Sequence, residues 1–175
     1  MKSLLILSAV CSFSMHSASF IAVPVCFFSL PRDARNPVLF DFLEGVHGAK
    51  EVLEDGSLVL KASYKGSARN TFGAYFIGSF LNKIAEKKGA AQGAREAAVD
   101  GLLAAGSRQL INNAHNNYPN AFNAYRNFLN NIVPFGLVKN NEPLFVTLET
   151  FVLKSAIHSL LNKAQEKYNG SSARV

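Results

Sequence analysis

From Val38 onward, apolar residues return every three or four positions, the period of an amphipathic helix. Leu39, Phe42, Leu43, Val46, Ala49, Val52 and Leu53 form the first stripe, opened by Pro37 and closed by Glu54-Asp55-Gly56. Residues 57–66 alternate instead, with Leu58, Leu60, Ala62 and Tyr64 set against Val59, Lys61, Ser63 and Lys65. An Asp55-Gly56 turn could join two strands here, but a lone hairpin is marginal, so a short helix or extended connector is expected. Helical spacing resumes from Ala68 to Lys88, with Phe72, Phe76 and Phe80 on one ridge. It breaks at Gly89-Ala90-Ala91-Gln92-Gly93 and returns from Ala94 to about Asn116. Pro119 opens a further helix through Val133, stopped by Pro134-Phe135-Gly136 and followed by a Lys139-Asn140-Asn141 loop. Pro143 begins a long last helix to about Tyr168, ended by Asn169-Gly170.

These patterns predict an all-α fold: a single bundle of about five helices, with short connections that make successive helices antiparallel neighbours. The bundle occupies residues 38–169, and residues 170–175 form a loose tail. Small residues at Ala90, Ala94, Ala97, Ala98, Gly101, Ala105 and Gly106 allow close helix approach, a fit for the Phe72, Phe76 and Phe80 ridge.

Ahead of the bundle, Ser3 to Pro31 carry no formal charge. Lys2 followed by Leu4, Leu5, Ile6, Leu7, Ala9 and Val10 has the shape of a secretory signal, with small residues at Ser17 and Ser19 suited to cleavage. The signal ends at residue 19, or is retained as an anchor reaching residue 30. Residues 20–37 are then an apolar segment and a linker. The expected location is secreted and extracellular, with membrane attachment only if residues 3–30 stay uncleaved. No other segment reads as long and apolar enough to cross a bilayer. Cys11 leaves with a cleaved signal, so Cys26 has no intrachain partner; it is either buried or available to link two chains.

The net charge of +6 is uneven, since residues 32–56 are acidic and residues 57–175 are basic. The basic side chains are scattered, with Lys87-Lys88 the only adjacent pair, and no nucleic-acid motif accompanies them, so no nucleic-acid partner is expected. A nucleophile motif is also missing, and Gly101 to Arg108 lacks the Gly-Lys-Ser/Thr ending of a phosphate loop. Glu44, His47 and Glu51 would share a face of the first helix, but without the paired histidines of a zinc site they read as a wet polar face. His115 and His158 stand alone on separate helices. No enzyme activity, metal or cofactor is expected.

Two compositional features point toward binding. The chain holds 14 Phe, 5 Tyr and no Trp, and at helical spacing most of these pack a core. Phe72, Tyr75, Phe76, Phe80, Phe122, Phe128, Phe145 and Phe151 could also line an apolar ligand site, with Lys83, Lys87 and Lys88 near an acidic head group. The second feature is asparagine. Asn116, Asn120, Asn123, Asn127 and Asn130 step by four or three, an amide face that suits a glycan, a neighbouring chain or solvent. Asn169-Gly170-Ser171 is a glycosylation sequon. The leading expectation is a secreted, non-enzymatic helical protein binding a hydrophobic small molecule or lipid in an aromatic-lined interior. The alternatives are a self-associating structural protein of an extracellular material, forming a homo-oligomer, and a membrane-active or host-directed secreted factor.

Overall fold

The computed structural model describes residues 27–132 and 142–172. The expected signal, Cys26, and the breaks at Pro134-Phe135-Gly136 and Lys139-Asn140-Asn141 lie outside the described residues. Within them the chain is mostly helical. The elements are α1 (Pro37–His47), β1 (Ala49–Glu54), β2 (Ser57–Ala62), α2 (Ala68–Ala85), α3 (Ala90–Asn117), α4 (Pro119–Ile132) and α5 (Glu142–Ser172).

The first helix is shorter than its apolar spacing predicts. Asn36 caps its start by accepting from the Leu39 amide at 3.1 Å, and Pro37 fills the first turn. Gly48 adopts the left-handed conformation at φ 61° and ends the helix. Ala49–Glu54 then pairs antiparallel with Ser57–Ala62, from Ala49↔Ala62 to Glu54↔Ser57. Asp55 and Gly56 both carry positive φ, the two-residue turn whose twist matches that of the strands. The hairpin therefore replaces both the last turns of the expected first helix and the expected connector. It is held from outside: the Ala62 amide donates to the Glu142 carboxylate at 3.0 Å, and Arg108 donates to the Ser63 carbonyl at 3.1 Å. This tertiary support is what a lone hairpin lacks.

The same change takes Glu51 off the helix that carries Glu44 and His47. Glu51 lies on β1 and pairs with Arg35, whose guanidinium also donates to the carbonyls of Phe28 and Leu30 at 2.9 Å each. The linker thus carries a short 3-10 turn, Arg32–Ala34, tied to the sheet through its next residue. His47 is buried, and its Nδ1 lies 2.8 Å from the Thr147 hydroxyl. Because that hydroxyl donates to the Pro143 carbonyl at 3.0 Å, the imidazole Nδ1–H is the donor in this pair.

The packed centre is the α2–α3 pair. Gly93, Ala97, Gly101 and Ala104 are buried on one face of α3. A Cβ on Gly101 would sit 2.8 Å from the Phe72 ring, and one on Gly93 would sit 3.7 Å from the Phe80 ring. Small residues on α3 therefore seat the α2 aromatic ridge. Around this seam the buried apolar set is small: Leu43, Val46, Ala49, Tyr75, Ala97, Ala104, Ile111 and Val146. Polar groups complete it, with Arg108 fully enclosed, its Nε and Nη1 without hydrogen-bond partners among the described residues. Burial lowers the Arg108 pKa to about 10, which leaves it cationic at neutral pH. Gly48 and Gly66 make room for this guanidinium, since a Cβ at either would overlap it.

α5 runs through Gly170 to Ser172, past the Asn169-Gly170 stop that the sequence predicts. Asn169 is exposed on this helix, which continues into residues that the sequence assigns to the tail.

Candidate functional site

The eight aromatics do not gather around one chamber. Phe72, Phe76 and Phe80 form a stacked ladder, with ring centroids 5.7 and 6.1 Å apart, closed on one side by α3. Tyr75 is buried beneath the Lys154 ammonium, 5.0 Å from its ring centroid, and burial followed by Asp100 pushes its phenol up to about 12. Phe151 touches the same ammonium from 5.9 Å, and Phe128 is exposed on α4. Lys83 and Lys88 are held by Glu86 and Glu96, the shortest pair being Lys88–Glu96 at 2.8 Å. Phe122 and Phe145 belong to a different region.

That region is a cleft of about 630 Å³ between the base of the hairpin, the end of α3, one face of α4 and the start of α5. Most of its lining residues carry a polar or charged group, while apolar atoms form nearly half of its surface. Asn116, Asn123, Asn127 and Asn130 line it, joined by Lys50, Lys65, Arg126 and Glu142. Asn120, in the first turn of α4, is exposed and is not among the lining residues. At the floor, Tyr64 stacks on His115 with centroids 3.9 Å apart, and Phe122 meets both rings edge-on. The Arg126 guanidinium lies 5.3 Å from the Tyr64 centroid and 5.0 Å from that of Phe145. It pairs with Glu149 at 3.6 Å; burial, the largest influence, raises the Glu149 carboxyl pKa above its ordinary range. Burial also raises the Tyr64 phenol. The Tyr64 hydroxyl, His115 Nδ1 and Asn130 Oδ1 are buried without hydrogen-bond partners among the described residues. His115 therefore does not stand alone; a residue 51 positions earlier in sequence, Tyr64, covers its ring.

The second candidate is α5 itself. Val146 and Thr150 are buried against the body. Beyond them Leu153, Ile157, Leu160, Leu161 and Ala164 continue on one side at steps of four, three, one and three, while Ser155, His158, Asn162, Glu166 and Asn169 occupy the other. This second half leaves the body: Leu160 is 66% exposed and every residue from His158 to Asn169 is exposed. Lys163 and Lys167 lie along one border of the apolar stripe. By length and composition the segment Glu142–Asn169 could cross a bilayer, with mean hydropathy 1.4 over its most apolar window, a candidate that the sequence reading above does not include. Two charged groups in this helix are tied to the body, Glu149 to Arg126 and Lys154 to Asp100 at 2.8 Å.

Among the described residues no cluster of three or more metal-ligating side chains occurs. No family model matches the chain, and neither does any curated protein or solved structure.

Proposed function

We propose that this is a secreted, non-enzymatic helical protein that acts by lying on anionic lipid surfaces through the second half of α5. The observation that carries the reading is the apolar stripe Leu153, Ile157, Leu160, Leu161 and Ala164, half-buried at its first two positions and exposed from Leu160 onward, bordered by Lys163 and Lys167. A basic amphipathic helix of this kind buries its apolar side at the boundary of head groups and acyl chains, and its lysines attract anionic lipid. Lying on the surface keeps the Glu149–Arg126 and Lys154–Asp100 pairs, whereas crossing would break both. Lipid contact thus moves from an aromatic interior to an outer helix face.

Co-sedimentation of the full chain with phosphatidylserine-containing and phosphatidylcholine-only vesicles tests this. Binding is expected to the first, weakened by salt, and lost in the Leu160→Asp/Leu161→Asp double variant. A double variant that binds as well as the parent overturns it. Self-association is the second reading, favoured by exposed Val99, Leu102 and Leu110 on the outer side of α3. Light scattering across concentration checks it, and a strict monomer at every concentration rejects it.

A further inference from the structure

We infer that the polar cleft at the base of the hairpin is a binding site for a short acidic saccharide. This goes beyond the lipid reading, because the cleft lies at the start of α5, about 27 Å of helical rise from Leu160. Its volume falls within the range of small-molecule sites.

The chemistry of the walls narrows the ligand class. Asparagine is a poor helix former, yet Asn123 and Asn127 both sit inside α4 and both face this cleft. Each amide offers a donor and an acceptor side by side, the complement of a hydroxyl, which both gives and accepts. Glu142 adds an acceptor in a fixed place, since its Oε2 is already held by the Ala62 amide. The Tyr64 hydroxyl, His115 Nδ1 and Asn130 Oδ1 are buried and unmatched within the described residues, and all three residues line the cleft. Several neutral hydroxyl partners in one cleft describe a polyol ring. With Arg126 already paired to Glu149, Lys50 and Lys65 still outnumber the single lining carboxylate, which favours an acidic group on that ring. An apolar ligand would leave the wall amides unpaired, and a bare oxyanion would use the cations alone.

Titration calorimetry on the full chain provides the test, with a hyaluronan tetrasaccharide, a neutral chitin tetrasaccharide and inorganic sulfate as probes. Saturable one-to-one binding is expected for the acidic sugar, about tenfold weaker binding for the neutral one, and no saturation with sulfate. Asn123→Ala/Asn127→Ala should weaken the acidic sugar by about tenfold or more. Both positions are exposed and alanine is the better helix former, so the free protein should melt no earlier than the parent. Lys65→Gln should weaken the acidic sugar and leave the neutral one unchanged. Saturation by neither sugar overturns the site, and so does a double variant that binds like the parent. Neutral binding as tight as acidic removes the acidic requirement. The vesicle experiment reads a different end of α5, so either result can fail without the other.

Discussion

The two halves of α5 share one helix and one apolar period but meet different surroundings. In the first half Val146 is fully buried and Thr150 nearly so; in the second Leu160 is 66% exposed. Both stretches would earn the same reading from hydrophobic spacing. Periodicity fixes which side of a helix is apolar, and says nothing about what covers that side.

The largest expected contrast comes from placing one charge in each half. Val146→Asp buries an unpaired carboxylate and should cost more than about 4 kcal/mol, most of the stability of a domain at the low end of the ordinary range. Leu160→Asp should change stability by no more than about 0.5 kcal/mol while weakening vesicle binding. Urea unfolding checks both. A comparable loss from Leu160→Asp would mean that the second half packs on the body in solution, and the contrast between the halves would collapse.

The buried half also predicts a pH response, through its Thr147 contact with His47. Burial, helped by the nearby Arg108 cation, lowers the His47 pKa from 6.5 to about 4. The unfolded chain therefore binds the extra proton first. The stability linked to neutral His47 is complete above about pH 6.5 and is lost as pH falls toward about 4, a change of about 3 kcal/mol. Glu149 acts in the opposite sense, because burial raises its carboxyl and protonation removes that cost. The discriminating measurement is the difference between parent and His47→Gln in urea midpoints at about pH 7 and about pH 4.5. The parent should lose more stability over this interval, and equal losses would remove the His47 assignment.

In the exposed half, Lys163→Gln/Lys167→Gln should leave unfolding unchanged and cost about 1 kcal/mol of membrane affinity per lysine, about thirtyfold in all. Binding that stays equal, or that does not respond to salt, would make the stripe alone responsible.

How far these features could be read from sequence follows from how local they are. The helical runs were legible because each repeats its signal over many residues, and Phe72 and Phe80 do face small residues of α3. The hairpin was hidden because Val52 and Leu53 fit both a helical stripe and a strand, while the deciding support, Arg108 on Ser63 and Glu142 on Ala62, comes from 45 and 80 residues away. The cleft was legible only in part. The asparagine steps marked one wall. Tyr64, His115 and Glu142 reach it from three other parts of the chain, and no spacing rule connects them. For α5, the stripe was visible and its exposure was not, because exposure depends on where the body ends.

That end is marked by Lys154, the last ion pair of α5 with the body. Its ammonium pairs with Asp100 at 2.8 Å and sits over the Tyr75 ring, so it retains a partner if Asp100 is neutralised. Asp100→Asn should therefore cost only about 0.5–1 kcal/mol, the range of a partly exposed pair. Its informative effect is local. Amide exchange should accelerate between Phe151 and Ile157, where the helix loses its hold, and stay unchanged at Val146 and Thr150, which are fastened by burial. If exchange rises along the whole of α5, the helix is one cooperative unit and its halves differ only in exposure. If it rises only past Phe151, the pair is the point at which a body-bound helix becomes a free one, and freeing Lys154 should also strengthen vesicle binding, by up to about fivefold for one added lysine at the surface.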